Sequence, residues 1–151
     1  MIDYRKKTIT KGQQQLRCGY TTGTCAAASA KAAAVTLLTG EICRDVAICL
    51  PGGENILLET ETLERQKNGV KCGVIKDAGD DPDITNGLMI CAAVEINTSG
   101  EICIDGGEGV GRVTQPGLDQ PVGAAAINSV PRKMIQEAVE SVCRQYHYTE
   151  G

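Results

Sequence analysis

The chain has 151 residues, a formal net charge of −4 and a single His, with no Phe and no Trp. A nucleic-acid surface needs clustered Lys and Arg, so a negative chain predicts no nucleic-acid partner. The apolar runs are too short to span a membrane, which leaves a small molecule as the expected partner. One His and no Cys-x-x-Cys pair predict no zinc or iron–sulfur site.

The eight cysteines and the polar start of the chain favour a reducing, cytoplasmic setting. Residues 1–7 lack the apolar run of a signal peptide. Several cysteines lie inside apolar stretches, as Cys49 and Cys103 do, and are predicted to be small buried side chains. Without large aromatic side chains, the core is expected to consist of Val, Ile, Leu, Ala and Cys.

The first part of the chain predicts a polar arm followed by a helix. Residues 1–15 are predicted to form an N-terminal arm, and residues 16–151 a single domain. The alanine-rich run from residue 24 to residue 38 predicts a helix, capped by one of the preceding threonines and stopped at Gly40. Its side chains are small on almost every face, which indicates burial against a sheet.

Several short strands are expected next. Residues 46–50 and 55–61 flank Pro51-Gly52-Gly53 and predict a β-hairpin. Residues 70–76 predict a third strand, and residues 88–96 either a strand or the end of a helix.

The last part of the chain predicts a strand, a loop and a helix. Residues 101–105 follow Gly100 and predict a strong strand, and residues 106–124 predict a long loop. Residues 131–146 predict a second helix that begins with Pro131 and buries one apolar face. The predicted fold is α+β, with a mixed or antiparallel sheet packed against the Ala-rich helix and the C-terminal helix.

The first loop of chemical interest, residues 19–24, leads into the Ala-rich helix. A helix N-terminus presents unpaired N–H groups and the positive end of the helix dipole. The hydroxyl groups of Thr21, Thr22 and Thr24, together with Gly23, would complete a seat for a carboxylate or phosphate. A capped helix start with additional threonines is the alternative.

The second loop, residues 76–85, carries four carboxylates within seven positions: Asp77, Asp80, Asp81 and Asp83. Carboxylates this close repel one another unless a cation or N–H donors offset them. Each is suited to act as a base, to bind a hard metal ion or to accept hydrogen bonds from a ligand. The alternative is an acidic turn in which Asp83 caps the following segment.

The third loop, residues 105–114, contains four glycines within six positions, which lets its backbone approach a partner closely. The glycine spacing differs from that of a dinucleotide-binding loop. Arg112 is suited to pair bidentately with a carboxylate, either Glu108 or one on a ligand. A tight glycine-rich loop that closes a sheet is the alternative.

Three other features favour structural interpretations. The basic runs at residues 5–7 and at Arg132-Lys133 are predicted to be solvated surface. Cys25, at the start of the Ala-rich helix, is predicted to be buried rather than a reactive thiol of lowered pKa.

The three loops, in this order, resemble the CbiD family, the cobalt-precorrin-5B C(1)-methyltransferases of the anaerobic cobalamin pathway. The likeness extends from about residue 16 to residue 140, and this chain resembles the N-terminal part of the longer family members. The stretches that carry it are Leu16-Arg17-Cys18-Gly19-Tyr20-Thr21-Thr22-Gly23-Thr24-Cys25, Lys76-Asp77-Ala78-Gly79-Asp80-Asp81-Pro82-Asp83-Ile84-Thr85, Gly106-Gly107-Glu108-Gly109-Val110-Gly111, Thr114-Gln115-Pro116-Gly117-Leu118 and Val130-Pro131-Arg132.

The resemblance implies methyl transfer from S-adenosylmethionine, as cosubstrate, to ring carbon C1 of a cobalt-corrinoid substrate. It implies no protein-bound metal, because the cobalt arrives with the substrate. The 151-residue chain alone is expected to be inactive. Whether it forms a homo-oligomer is left open. A non-catalytic domain that binds a tetrapyrrole, or a carboxylate or phosphate metabolite, is the alternative. The implied site residues are Asp77, Asp80, Asp81 and Glu108 for catalysis and Thr21, Thr22, Gly23, Thr24, Gly107, Gly109 and Arg112 for substrate binding.

Overall fold

A computed structural model describes residues 6–150 of the chain. Within them the chain forms two helices and seven strands. In chain order these are β1 (Thr8–Lys11), β2 (Gln14–Arg17), α1 (Thr22–Thr39), β3 (Asp45–Cys49), β4 (Asn55–Glu59), β5 (Thr62–Arg65), β6 (Gly69–Ile75), β7 (Met89–Glu95) and α2 (Ser129–Gln145). No described helix is both long and apolar enough to cross a membrane.

The strands form three antiparallel sheets, with strand orders β1-β2, β3-β4 and β5-β6-β7. Helix α1 lies against β6 and β7 on one side and against α2 on another. The predicted α+β fold is therefore confirmed, and its sheets are antiparallel throughout. The arm predicted at residues 1–15 falls on the β1-β2 hairpin where it is described, and residues 1–5 lie outside the described range.

Helix α1 has the predicted kind of cap and the predicted stop, and it extends beyond the predicted residues 24–38 by two residues at its start and one at its end. The Thr21 hydroxyl accepts a hydrogen bond from the Thr24 N–H at 3.0 Å, which caps the N-terminus. Gly40 ends the helix with a φ of 77°, and its N–H donates to the Thr36 carbonyl. Eleven of the 18 helix residues are buried, which confirms the predicted packing against a sheet.

The expected β-hairpin and the second helix are also present. Strands β3 and β4 pair around Pro51-Gly52-Gly53, and residues 88–96 contain a strand rather than a helix end. Helix α2 starts two residues before Pro131, where the Asp119 carboxylate accepts hydrogen bonds from the Ser129 N–H and hydroxyl. These hydrogen bonds lower the pKa of Asp119. Strand β5 was not predicted from the sequence.

The prediction of a strand at residues 101–105 is wrong, because no described segment pairs with it. Its exposure still alternates, with Ile102 and Ile104 half-buried and their neighbours exposed. Cys49 and Cys103 are exposed, so their predicted burial is wrong as well. Both lie at alternate positions that face away from the core, a direction that an apolar run does not reveal.

The core is built from small side chains, as expected for a chain without Phe or Trp. Its largest fully buried side chains include Ile56, Val70, Val74 and Val142. Gly23 permits close contact between the helices, since a Cβ added there would lie 3.0 Å from Pro131. This packing sets the N-terminal end of α1 beside that of α2.

Candidate functional site

The first and second loops are held together by their backbones. The Tyr20 N–H donates to the Asp77 carbonyl at 2.6 Å, and the Asp80 N–H donates to the Arg17 carbonyl at 3.0 Å. A Cβ on Gly19 would lie only 1.9 Å from the Ala78 carbonyl carbon, so only glycine allows this approach. The two sequence-predicted loops therefore form one unit.

Arg17 organises the acidic loop. Its guanidinium donates to both oxygens of Asp77 at 2.7 and 2.9 Å, and its backbone N–H donates to Asp80 at 2.7 Å. Asp77 also accepts from the Gly79 N–H at 2.9 Å. Two of the predicted catalytic carboxylates, Asp77 and Asp80, thus accept hydrogen bonds from N–H groups of the protein. Asp81 is exposed.

Lys76 is a buried ammonium group at the junction of the two loops. Its side chain is 4% exposed. Its Nζ lies 2.6 Å from Asp83 Oδ2, 2.7 Å from Thr85 Oγ1 and 3.1 Å from Thr22 Oγ1. Each of the three N–H groups of the buried ammonium group therefore has a hydrogen-bond acceptor. Lys76 and hydrogen bonds from Thr85 hold the pKa of Asp83 well below its usual range.

Lys76 was not among the residues predicted from the sequence. The alternation of buried and outward-facing residues in β6 indicates that Lys76 is buried. Cys72 and Val74 are buried, and Lys76 is the next residue on the same face of the strand. Asp83 was predicted to cap the following segment in the alternative interpretation. It accepts from the Thr85 N–H at 2.8 Å and also pairs with Lys76.

The third loop is held by ion pairs and carbonyl contacts. Arg112 pairs with Asp105 through its two terminal nitrogens, at 2.5 and 3.2 Å. This hydrogen bonding lowers the pKa of Asp105. Of the two partners expected for Arg112, Glu108 is therefore wrong, and a carboxylate on a ligand stays a prediction. Glu108, Gly107 and Gly109 are exposed.

Arg132 is half-buried and anchors the third loop to α2. Its guanidinium donates to the carbonyls of Ile127, Ala125 and Ile104 at 2.8, 3.0 and 3.4 Å. The prediction that Arg132 lies in solvated surface is therefore wrong. Two adjacent basic residues in the sequence do not show that one of them folds back onto its own loop. The neighbouring Lys133 is exposed, as predicted.

A groove of about 1890 Å³ joins the first and third loops. Thr22 and Gly23 line it, and so do Gly106, Gly107 and Gly109. Thr21 and Thr24 cap the helix beside it. The four predicted catalytic carboxylates and Arg112 lie outside its lining.

Cysteine and clustered metal-ligand side chains add no reactive group to these loops within residues 6–150. Cys25 is fully buried, and burial raises its pKa to about 11, so the prediction of a buried rather than a reactive thiol is confirmed. Across residues 6–150, no three His, Cys, Asp or Glu side chains converge to hold a metal ion.

The fold and these loops define an α+β domain in which three glycine-containing loops gather around the N-terminal ends of two helices. The sequence model of the CbiD family matches residues 9–150. The chain belongs to the CbiD family.

Relatives and a solved structure agree with this assignment. A cobalt-precorrin-5B C(1)-methyltransferase of Ruminiclostridium cellulolyticum is 49% identical over 95% of this chain and 37% of its own length. One of Geotalea daltonii is 54% identical over 84% of this chain and 36% of its own length. The crystal structure of a cobalamin biosynthesis protein (cbiD) from Archaeoglobus fulgidus has a TM-score of 0.66 and 28% identity, covering 95% of this chain and 45% of that one. The chain thus spans less than half the length of these proteins.

Proposed function

We propose that this chain is the N-terminal domain of an enzyme that methylates cobalt-precorrin-5B at ring carbon C1 during anaerobic cobalamin biosynthesis in the cytoplasm. Residues 16–151 form the domain and residues 1–15 its arm. Membership of the CbiD family and the names of relatives about 50% identical support the reaction. S-adenosylmethionine is the methyl donor, and a cobalt-corrinoid is the substrate.

The groove between the first and third loops is the observation that carries the proposal. At about 1890 Å³ it exceeds the roughly 300–1,000 Å³ typical of sites for drug-sized ligands. A macrocycle fringed with acetate and propionate groups needs such space and needs donors at its rim. Thr22 and the glycine backbone of the third loop provide those donors at one end of the groove.

The substrate-binding residues divide into two groups. Exposed Thr21 and Thr22 present the start of α1 to substrate carboxylates, which the positive end of the helix dipole favours. Gly23 and Thr24 are buried behind them, and the Thr24 N–H donates to the Thr21 hydroxyl, so these two residues shape the helix start. Gly107 and Gly109 let the backbone of the third loop approach the ring. Arg112 lies outside the groove lining but pairs with Asp105, which lines the groove, and it exchanges Asp105 for a carboxylate at the periphery of the substrate.

The four predicted carboxylates act in two ways. Asp77 and Asp80 accept from Arg17 and hold the second loop against the first. Glu108 lies between two glycines that line the groove, and it takes up the proton that the substrate loses when the methyl group is added. Exposed Asp81 is the second residue suited to that role. The carbon–sulfur bond of the donor breaks as the new carbon–carbon bond forms, and sulfur keeps the electron pair. The main task of the protein is to align the methyl group with C1.

A methyl-transfer assay tests this function. The chain, alone and joined to the remaining part of the Ruminiclostridium cellulolyticum relative, is incubated with methyl-labelled S-adenosylmethionine and cobalt-precorrin-5B. Label should enter the corrinoid with the joined protein and not with the 151-residue chain alone. Corrinoid binding without any transfer by the joined protein would instead indicate a non-catalytic tetrapyrrole-binding domain.

Arg112→Ala tests the substrate-binding surface in the joined protein. Losing a charge-assisted pair should raise KM about tenfold with little change in kcat. Arg144→Ala is the matched control, because Arg144 is also exposed and ion-paired but lies at the far end of α2. Equal KM values for the two variants would remove Arg112 from the site.

A further inference from the structure

One wall of the groove is an extended segment without a backbone partner. Residues 101–105 have the alternating exposure of a strand, with Ile102 packed against the core. Within residues 6–150, no backbone–backbone hydrogen bond reaches any residue of this segment. Among the described residues, only side chains contact their carbonyls: Asn97, Ser99 and Cys103 donate to Glu101, and Arg132 donates to Ile104. The segment therefore has the pattern of a strand but lacks a neighbouring strand.

The groove is also lined by β7, which is an edge strand of the three-stranded sheet within residues 6–150. The Lys76 N–H donates to the Leu88 carbonyl at 2.9 Å, which makes this a hydrogen-bonded pair. Hydrogen-bonded and non-bonded pairs alternate in antiparallel sheets. The N–H and C=O groups of Cys91, Ala93 and Glu95 therefore point away from β6, and all three residues are exposed.

The groove is large enough for one strand. Residues 90–107, which include most of β7 and the extended segment 101–105, line it without a break. A seven-residue strand in a sheet fills roughly 1100 Å³, from a rise of about 3.4 Å per residue, a spacing of about 4.8 Å and a layer thickness of about 10 Å. With this strand in place, roughly 800 Å³ of the groove's 1890 Å³ stays open at the end near Thr22 and Gly107. That remainder is within the roughly 300–1,000 Å³ of a small-molecule site, so the strand and the substrate proposed above occupy different parts of the groove.

We propose that the groove receives one extended segment that pairs with β7, with residues 101–105 on its other side. The segment comes from the part of a CbiD protein that this chain does not span. This chain covers 37% of the Ruminiclostridium cellulolyticum relative and 45% of the Archaeoglobus fulgidus structure, so more than half of each protein lies elsewhere. The side chains of the added segment that face into the groove are apolar, because Ile102, Ile104 and Val139 line the groove. The pairing does not depend on the reaction proposed above.

Hydrogen exchange of the 151-residue chain tests the pairing, with and without the purified remaining part of the Ruminiclostridium cellulolyticum relative. The amides of Cys91, Ala93 and Cys103 should exchange about tenfold or more slowly in the complex, as each gains a hydrogen bond. No complex, or unchanged exchange at β7, overturns the proposal. If the free chain forms a dimer in which the β7 amides are already protected, the proposal is overturned, because a second copy of this chain would then occupy the groove.

Ala93→Pro provides the matched variant. Proline is tolerated on an edge strand where the N–H faces outward, so the chain should fold while the added strand loses a donor. Binding of the remaining part should weaken about tenfold. Leu57→Pro is the control, because Leu57 is exposed on the edge of the separate β3-β4 sheet and points its N–H outward by the same alternation. Equal weakening by both variants, or none by Ala93→Pro, contradicts the proposal.

Discussion

Lys76 shows how one buried charge joins two loops that are far apart in the chain. Its ammonium group contacts Thr22 at the start of α1 and Asp83 and Thr85 in the acidic loop. Burying a charge without partners is costly, so removing any one acceptor leaves an N–H of the buried ammonium group without its hydrogen bond. The position of the α1 N-terminus relative to the acidic loop therefore depends on this side chain.

The Lys76–Asp83 pair makes stability depend on pH in a defined direction. The pKa of Asp83 is lowered in the folded state, mainly by Lys76. Its stabilising contribution is full above the unfolded pKa of about 4 and declines as pH falls below that value. Asp83→Asn should therefore lower the free energy of unfolding at neutral pH, and its difference from the unchanged chain should shrink below about pH 4.

Urea unfolding at a series of pH values measures this difference. Asp81→Asn is the control, because Asp81 is an exposed carboxylate in the same loop. A difference between Asp83→Asn and the unchanged chain that stays constant into acid would show that the ion pair does not stabilise the fold.

Gly19 sets the distance between the first two loops. A Cβ there would overlap the backbone of Ala78 and Gly79, and backbone atoms cannot move aside as a side chain can. Gly19→Ala should lower the free energy of unfolding by about 1–3 kcal/mol or more. Gly52→Ala should change it by less than about 1 kcal/mol, because nothing lies within 4 Å of the added Cβ. Similar denaturation midpoints for the two variants would contradict this close approach.

At the scale of elements, alternation in the β3-β4 hairpin decides which side chains stabilise the fold. Ile56 is fully buried in the larger core cluster, whereas its neighbour Leu57 is 47% exposed. Because successive strand residues face opposite sides, two similar aliphatic residues have different roles.

Alanine substitution at both positions measures that difference. Ile56→Ala should lower the free energy of unfolding by about 2–5 kcal/mol, from lost burial and the cavity left behind. Leu57→Ala should change it by about 0.5 kcal/mol or less. Chemical denaturation measures both changes. Comparable losses of stability would contradict the assignment of Ile56 to the core and of Leu57 to the exposed face of β4.

At the scale of the whole molecule, α1 connects two core clusters. One contains Ala28 and the β3, β4 and β6 side chains, and the other contains Ala30, Ala34 and Val142. Val94 and Ile135 pack against both clusters. The described part of the chain should therefore unfold in one transition, since neither cluster keeps its packing without α1.

Thiol reactivity reports that transition. Cys25 and Cys72 are fully buried, and burial raises the pKa of each to about 11. With a thiol reagent at neutral pH, exposed Cys49, Cys91 and Cys103 should react promptly. The two buried thiols should react at least about a thousandfold more slowly, because opening costs about 5 kcal/mol or more. Prompt reaction of all eight cysteines without denaturant would contradict a closed core.

The sequence by itself determined the local elements and the family. Helix α1, its Thr21 cap and Gly40 stop, and the β3-β4 hairpin follow from residue preferences that act over a few positions. The family was evident because the loop motifs keep their order along the chain. These features depend on neighbours in sequence, so a linear pattern is enough to predict them.

Only the tertiary structure decided which side chains meet. Lys76 reaches Thr22 across 54 positions, Arg17 reaches Asp77 across 60, and Arg112 pairs with Asp105 instead of Glu108. Residues 101–105 have the local pattern of a strand, yet no described strand pairs with them. Ion pairs and strand pairing need a partner brought close by the packing of distant segments, and a local pattern does not identify that partner.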